Sequence, residues 1–140
     1  TSGGLSISTN GGSSFTNKTT TNGLGNNWVR GVYASGDNIY AATGDGIDGG
    51  LSISTNGGIS FTNYTTTSTS GGLGSNVVFG VYASGSKVYA ATGGGLSIAS
   101  DPNPVPTPLP VLGSAAALGF CRRLRSRSKR LRHAATPRLA

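Results

Sequence analysis

The chain has 140 residues, of which 11% are charged, 7% are aromatic and 24 are glycine. That is one domain's worth of polypeptide with far fewer charges than an average soluble domain, and its single Cys121 excludes an internal disulfide. The formal net charge of +7 is a local property, because Lys18, Arg30 and Lys87 balance Asp37, Asp45 and Asp48 before residue 100, whereas Arg122, Arg123, Arg125, Arg127, Lys129, Arg130, Arg132 and Arg138 crowd the C-terminus.

In chain order, Gly4-Leu5-Ser6-Ile7-Ser8-Thr9-Asn10-Gly11-Gly12 opens the sequence and returns as residues 50–58, and Gly31-Val32-Tyr33-Ala34-Ser35-Gly36 returns as residues 80–85. A repeat of forty-odd residues built from short alternating runs and glycine turns predicts one four-stranded antiparallel blade per copy, as in a β-propeller. Asn27–Ser35 alternates, with Val29, Gly31, Tyr33 and Ser35 on one face and Trp28, Arg30, Val32 and Ala34 on the other. Gly36-Asp37-Asn38 reads as a tight turn, Ile39–Thr43 as the next strand, Gly44–Gly50 as a link and Leu51–Thr55 as the third strand. Asn56-Gly57-Gly58 reads as a hairpin turn, Ile59–Thr67 as the fourth strand and Ser68–Asn76 as the crossing loop. The chain thus begins with two strands of a blade (about 5–21), has one whole blade (28–67) and ends the array with three strands (77–100). Such repeats cannot bury their own faces, so the expected ring is either part of a longer protein, which the lack of Met also suggests, or is completed by a homo-oligomer. The first and last strand sets read as complementary halves for that purpose.

Ser8-Thr9-Asn10-Gly11-Gly12-Ser13-Ser14-Phe15 and Ser54-Thr55-Asn56-Gly57-Gly58-Ile59-Ser60-Phe61 share the pattern S-x-N-x-G-x-S-F. The pattern resembles the Asp-box, or BNR repeat, of sialidase-like β-propellers, with Asn10 and Asn56 where the family usually has Asp. An Asn oxygen can close the same turn by accepting backbone N–H groups. The resemblance implies a structural role in the hairpin of the third and fourth strands for Ser8, Asn10, Gly12, Phe15, Ser54, Asn56, Gly58 and Phe61. It further implies that Phe15 and Phe61 plug the gaps between blades.

The resemblance does not bring an active site with it. The chain has no Glu, Arg30 is the one Arg of the repeats, and its counterpart in the next copy is Phe79. A glycosidase needs two carboxylates across the scissile bond, whereas Asp37, Asp45 and Asp48 all fall in glycine-rich turns. No enzyme activity and no cofactor are therefore expected. Asp45 and Asp48 are the candidate metal ligands, set against a plain exposed loop. Trp28, Arg30, Tyr33 and Tyr82 are the candidate ligand-binding residues, set against blade-to-blade packing of the recurring tyrosines. Asn17-Lys18-Thr19 and Asn63-Tyr64-Thr65 also match the N-glycosylation pattern.

After residue 100, Pro102, Pro104, Pro106, Pro108 and Pro110 alternate, which predicts an extended spacer over 101–110. An apolar stretch and an arginine block fill 111–140. Pro108, Leu109, Pro110 and Gly113, followed by apolar residues and Arg122, Arg123 and Arg125, resemble the PEP-CTERM class of bacterial sorting signals without the usual Glu. Leu109–Gly113 also resembles part of a sortase box, with Leu112 where Thr belongs. The first resemblance implies export, a transpeptidase and the membrane as partners, and retention at the cell surface or its matrix. A nonspecific basic tail and phosphate contacts to nucleic acid are the alternatives. The expected function is a non-catalytic, surface-retained module that binds a carbohydrate or a surface protein, or scaffolds. An oligomeric lectin and a fragment of a sialidase-like glycoside hydrolase are the other two readings.

Overall fold

The computed structural model describes residues 1–104. These residues are all-β apart from a 3-10 turn at Thr20–Asn22, and their antiparallel sheets have two, four and three strands. Sheet 1 pairs β1 (Leu5–Ile7) with β2 (Thr16–Lys18). Sheet 2 runs in sequence order through β3 (Val29–Ser35), β4 (Asn38–Gly44), β5 (Gly49–Ser54) and β6 (Thr62–Tyr64). Sheet 3 runs through β7 (Val78–Ser84), β8 (Lys87–Thr92) and β9 (Gly95–Ser100). No sheet closes on itself.

Local chemistry accounts for these hairpins. Ser35 pairs with Asn38 and Ser84 with Lys87, which leaves two-residue turns that open with Gly36 and Gly85, both at φ 58°. A side chain at either glycine would meet the left-handed penalty. Both first strands carry a β-bulge at the same place: Arg30 is skipped between Val29 and Gly31, and Phe79 between Val78 and Gly80. A bulge leaves one residue out of the ladder and bends the strand.

The core lies between the sheets. β4 and β5 are buried along their whole length, so sheet 2 is covered on both faces. On one face, Ile39, Ala41, Val29, Leu24 and Phe61 form a cluster against which Leu5 and Ile7 of sheet 1 pack. On the other, Tyr40, Ala42, Leu51 and Ile53 meet Leu73, Val78, Ala83, Val88 and Ala90. The first strands of sheets 2 and 3 approach closely, and a Cβ on Gly31 would lie 3.3 Å from Gly80 Cα and from the Phe79 carbonyl oxygen.

Several boundaries differ from the sequence reading. The fourth strand is Thr62–Tyr64 rather than 59–67. Residues 56–60 are drawn into the turn by side-chain bonds, and beyond Tyr64 the Thr65 N–H donates to Ser68 Oγ (2.8 Å) and the Thr66 N–H to Asn76 Oδ1 (2.8 Å). The glycine link shrinks to residues 45–48, since Gly44 pairs with Gly49. Asp101 is no spacer residue: it is buried, and its N–H donates to the Ser86 carbonyl (2.9 Å). The strand sets at the two ends are not exact complements either, because β1 and β9 both occupy the third-strand position. The residues of the expected sorting signal, Pro108, Leu109, Pro110, Gly113, Arg122, Arg123 and Arg125, lie outside the described residues. Among the described residues no helix is long and apolar enough to cross a membrane.

Candidate functional site

The two bulges place their extra residues side by side. The Arg30 guanidinium carbon stands 5.3 Å from the centre of the Phe79 ring and 6.0 Å from that of Trp28. Its Nε donates to the Gly44 carbonyl at 2.6 Å, which fixes the plane of the cation. Trp28 is 49% exposed and Phe79 is 51% exposed, so the two rings flank the arginine at the surface. Each such cation–ring contact is worth about 0.5–1 kcal/mol at an exposed site, enough to hold a preformed patch. Phe79 was not among the sequence candidates. Its signal was its equivalence to Arg30, because equivalent residues of adjacent repeats become neighbours when repeats stack.

The loop at residues 45–48 adjoins this patch. Asn26 donates to Asp45 Oδ2 (3.1 Å) and to the Asp48 carbonyl (3.3 Å), while its own Oδ1 accepts from the Trp28 N–H (2.7 Å). Asp45 Oδ1 accepts the N–H groups of Ile47 (3.1 Å) and Asp48 (3.2 Å), and these bonds, with the one from Asn26, hold the carboxyl below its ordinary value. The Asp45 carboxylate thus closes its own loop. Among the described residues there is no group of three or more His, Cys, Asp or Glu side chains able to share a metal ion.

No protein-family model matches this chain, and comparison with curated proteins and with solved structures finds no significant match.

The tyrosines lie apart from the arginine in the ladder. Tyr33 and Tyr82 meet edge to face with centroids 5.1 Å apart, and each neighbours the tyrosine opposite it, Tyr40 or Tyr89. Tyr33 packs against the core between sheets 2 and 3, whereas Tyr82 is exposed. The Tyr40 hydroxyl donates to Asp101 Oδ2 at 2.5 Å. Burial first, and then this bond, hold the Tyr40 phenol far above its ordinary value of 10.0. Asp101 was also missed as a folded residue, although its signal was present. With Leu96-Ser97-Ile98 aligned on Leu51-Ser52-Ile53, Asp101 falls at the position of Asn56.

The two S-x-N-x-G-x-S-F windows fold alike. Ser8 Oγ donates to Asn10 Oδ1 (3.0 Å) and accepts the Gly12 N–H (2.8 Å), and Asn10 Oδ1 also accepts the Ser14 N–H (3.0 Å). Ser54, Asn56, Gly58 and Ser60 repeat this set at 2.8, 2.9 and 3.1 Å. Their phenylalanines differ: Phe61 is 8% exposed, but Phe15 is 65% exposed and plugs nothing, because among the described residues no sheet stands in front of sheet 1. Asn17 and Asn63, the acceptors of the two glycosylation patterns, donate their amides to the Gly3 and Gly49 carbonyls (2.7 and 3.0 Å).

Proposed function

We propose that the three sheets are blades of a β-propeller, one whole and two partial, and that the protein is a non-catalytic binding module exported to the cell surface. The observation that carries the reading is the exposed Trp28–Arg30–Phe79 stack, built by bulges at equivalent places in two adjacent sheets. Two half-exposed aromatic rings with a cation between them suit a sugar ring that bears a carboxylate or another acidic group. Export and surface retention rest on the likeness of the C-terminal residues to a sorting signal. Against hydrolysis stands the engagement of two of the described carboxylates, Asp45 in its loop and Asp101 with Tyr40.

Glycan-array binding followed by titration of the best ligand tests the reading. Trp28→Ala and Arg30→Ala are each expected to weaken binding about tenfold or more, as loss of a central aromatic or arginine contact does. Binding unchanged in both variants would remove the patch from consideration. Turnover of a fluorogenic sialoside or glucoside would instead favour the hydrolase reading.

A further inference from the structure

A groove of about 290 Å³ opens between sheets 2 and 3, lined by Leu51 and Ile53 on one side and by Leu73, Val88 and Ala90 on the other. These five residues are the repeat counterparts of Leu5, Ile7, Leu24, Ile39 and Ala41. Between sheets 1 and 2 those counterparts gather around Phe61. The groove is therefore the seat that the phenylalanine of the S-x-N-x-G-x-S-F hairpin fills one interface earlier. Sheet 3 stops at β9 among the described residues, and the sequence has Pro106 at the position equivalent to Phe61.

The matching knob is exposed at the other end of the array. Phe15 sits on the β1–β2 hairpin and is open to solvent. Gly58, beside Phe61, is built against Ile7 and Ile39, and a Cβ there would come within 2.4 and 3.1 Å of their Cδ1 atoms. The equivalent Gly12 meets nothing within 4 Å. The same asymmetry appears on the first strands: a Cβ on Gly31 would crowd Gly80, but one on Gly80 meets nothing.

We propose that this groove seats Phe15 from a second copy of the chain, whose β1–β2 hairpin takes the place of β9 beside β8. Both strands carry Leu-Ser-Ile, and β8 pairs with β9 in the register that β4 uses with β5, Tyr89 opposite Ile98 as Tyr40 is opposite Ile53. β9 is exposed along nearly all its length and is an edge strand, and the exchange trades its pairing with β8 and the Asp101–Tyr40 bond for the pairing of β1 and the burial of Phe15. The exchange completes a four-stranded sheet β7-β8-β1-β2 across two chains. It brings the second copy's sheet 2 over the free face of sheet 3, where Tyr82 of β7 is exposed now. The Ser86 carbonyl, which holds the Asp101 N–H, would then take the Gly11 N–H, as the Asp37 carbonyl takes the Gly57 N–H within sheet 2. The contact is head-to-tail, so it passes from copy to copy and closes into a ring where the rotation between copies permits. It rests on the equivalence of the repeats and is independent of the ligand at Arg30.

The test is sedimentation of the full chain over a concentration series, for the parent protein, Phe15→Ser and Gly80→Val. Both variants should fold as isolated chains, since Phe15 is mostly exposed and a Cβ on Gly80 meets nothing within 4 Å. The expected result is a discrete assembly of the parent, and at least about tenfold weaker association for each variant, with circular dichroism unchanged at dilution. A photo-reactive phenylalanine analogue at position 15 should cross-link to Leu73 or Val88 of a differently labelled copy. A parent that stays monomeric at every concentration, or variants that assemble as the parent does, would overturn the proposal. So would cross-links confined to one chain, which would assign another occupant to the groove.

Discussion

Phe15 and Phe61 end the same eight-residue pattern in the same kind of hairpin, yet their truncation should cost very different amounts. Phe61 is 8% exposed and lies in the cluster with Leu24, Val29, Ile39 and Ala41. Its removal forfeits the transfer energy of a nearly buried ring and leaves a cavity between two sheets, so Phe61→Ala should cost about 3–5 kcal/mol. Phe15 is 65% exposed, so Phe15→Ala loses only the burial of about a third of the ring, roughly 0.5–1 kcal/mol. Urea unfolding at high dilution, followed by circular dichroism, separates the two. With a slope of about 1–3 kcal/mol per molar, the midpoint should fall by about 2 M for Phe61→Ala and by less than about 0.5 M for Phe15→Ala. If Phe61→Ala does not fold, Phe61→Leu should still lose more than Phe15→Leu. Equal losses at the two positions would refute the claim that these sheets hold together chiefly by packing on their neighbours.

Three further outcomes are expected. Tyr40→Phe leaves the buried Asp101 carboxylate without its phenol donor and should cost about 1–3 kcal/mol. Because the folded pKa of Tyr40 is raised, its contribution is complete below the ordinary value of 10.0 and is lost as the pH climbs above it. Alkaline absorbance titration should therefore show one tyrosine that ionises only with unfolding and that is missing in Tyr40→Phe. Asp45 has the opposite sign: its folded pKa lies below the ordinary 3.8, so loop closure is intact above that value and fails as the pH falls through the depressed one. Amide exchange at Ile47 and Asp48 should accelerate over that range in the parent and be independent of pH-linked opening in Asp45→Asn. Finally, Gly31→Ala, whose Cβ would come 3.3 Å from the backbone of Phe79 and Gly80, should lower the unfolding midpoint of the dilute protein more than Gly80→Ala, whose Cβ meets nothing within 4 Å; the reverse order would mean that the first strands do not touch there.

Strand number and hairpin chemistry are local, and so they were legible in the sequence. A turn such as Ser54–Ser60 is closed by bonds among residues no more than four apart, so the pattern that repeats in sequence repeats in space. The alternation over 31–35 likewise sets the faces of β3 locally, but the bulge at Arg30 turns Val29 to the face of Val32 and Ala34, against Ile39 and Ala41, and away from Gly31, Tyr33 and Ser35, with which strict alternation grouped it. The same locality explains the errors at 59–61 and 65–67, where short-range side-chain bonds competed with the ladder that β-propensity favoured.

Burial was decided elsewhere. Leu51 and Leu96 occupy the same place in the same motif, but one is 6% exposed and the other 65%, because a third sheet covers the first and none of the described residues covers the second. The meeting of Arg30 with Phe79 and the seating of Asp101 on Tyr40 join residues 49 and 61 positions apart. The order of residues along a strand fixes which side chains share a face, since backbone pairing is a matter of near neighbours. What that face touches depends on how whole sheets stack, and in a repeating chain identical segments acquire different surroundings solely from their place in the stack.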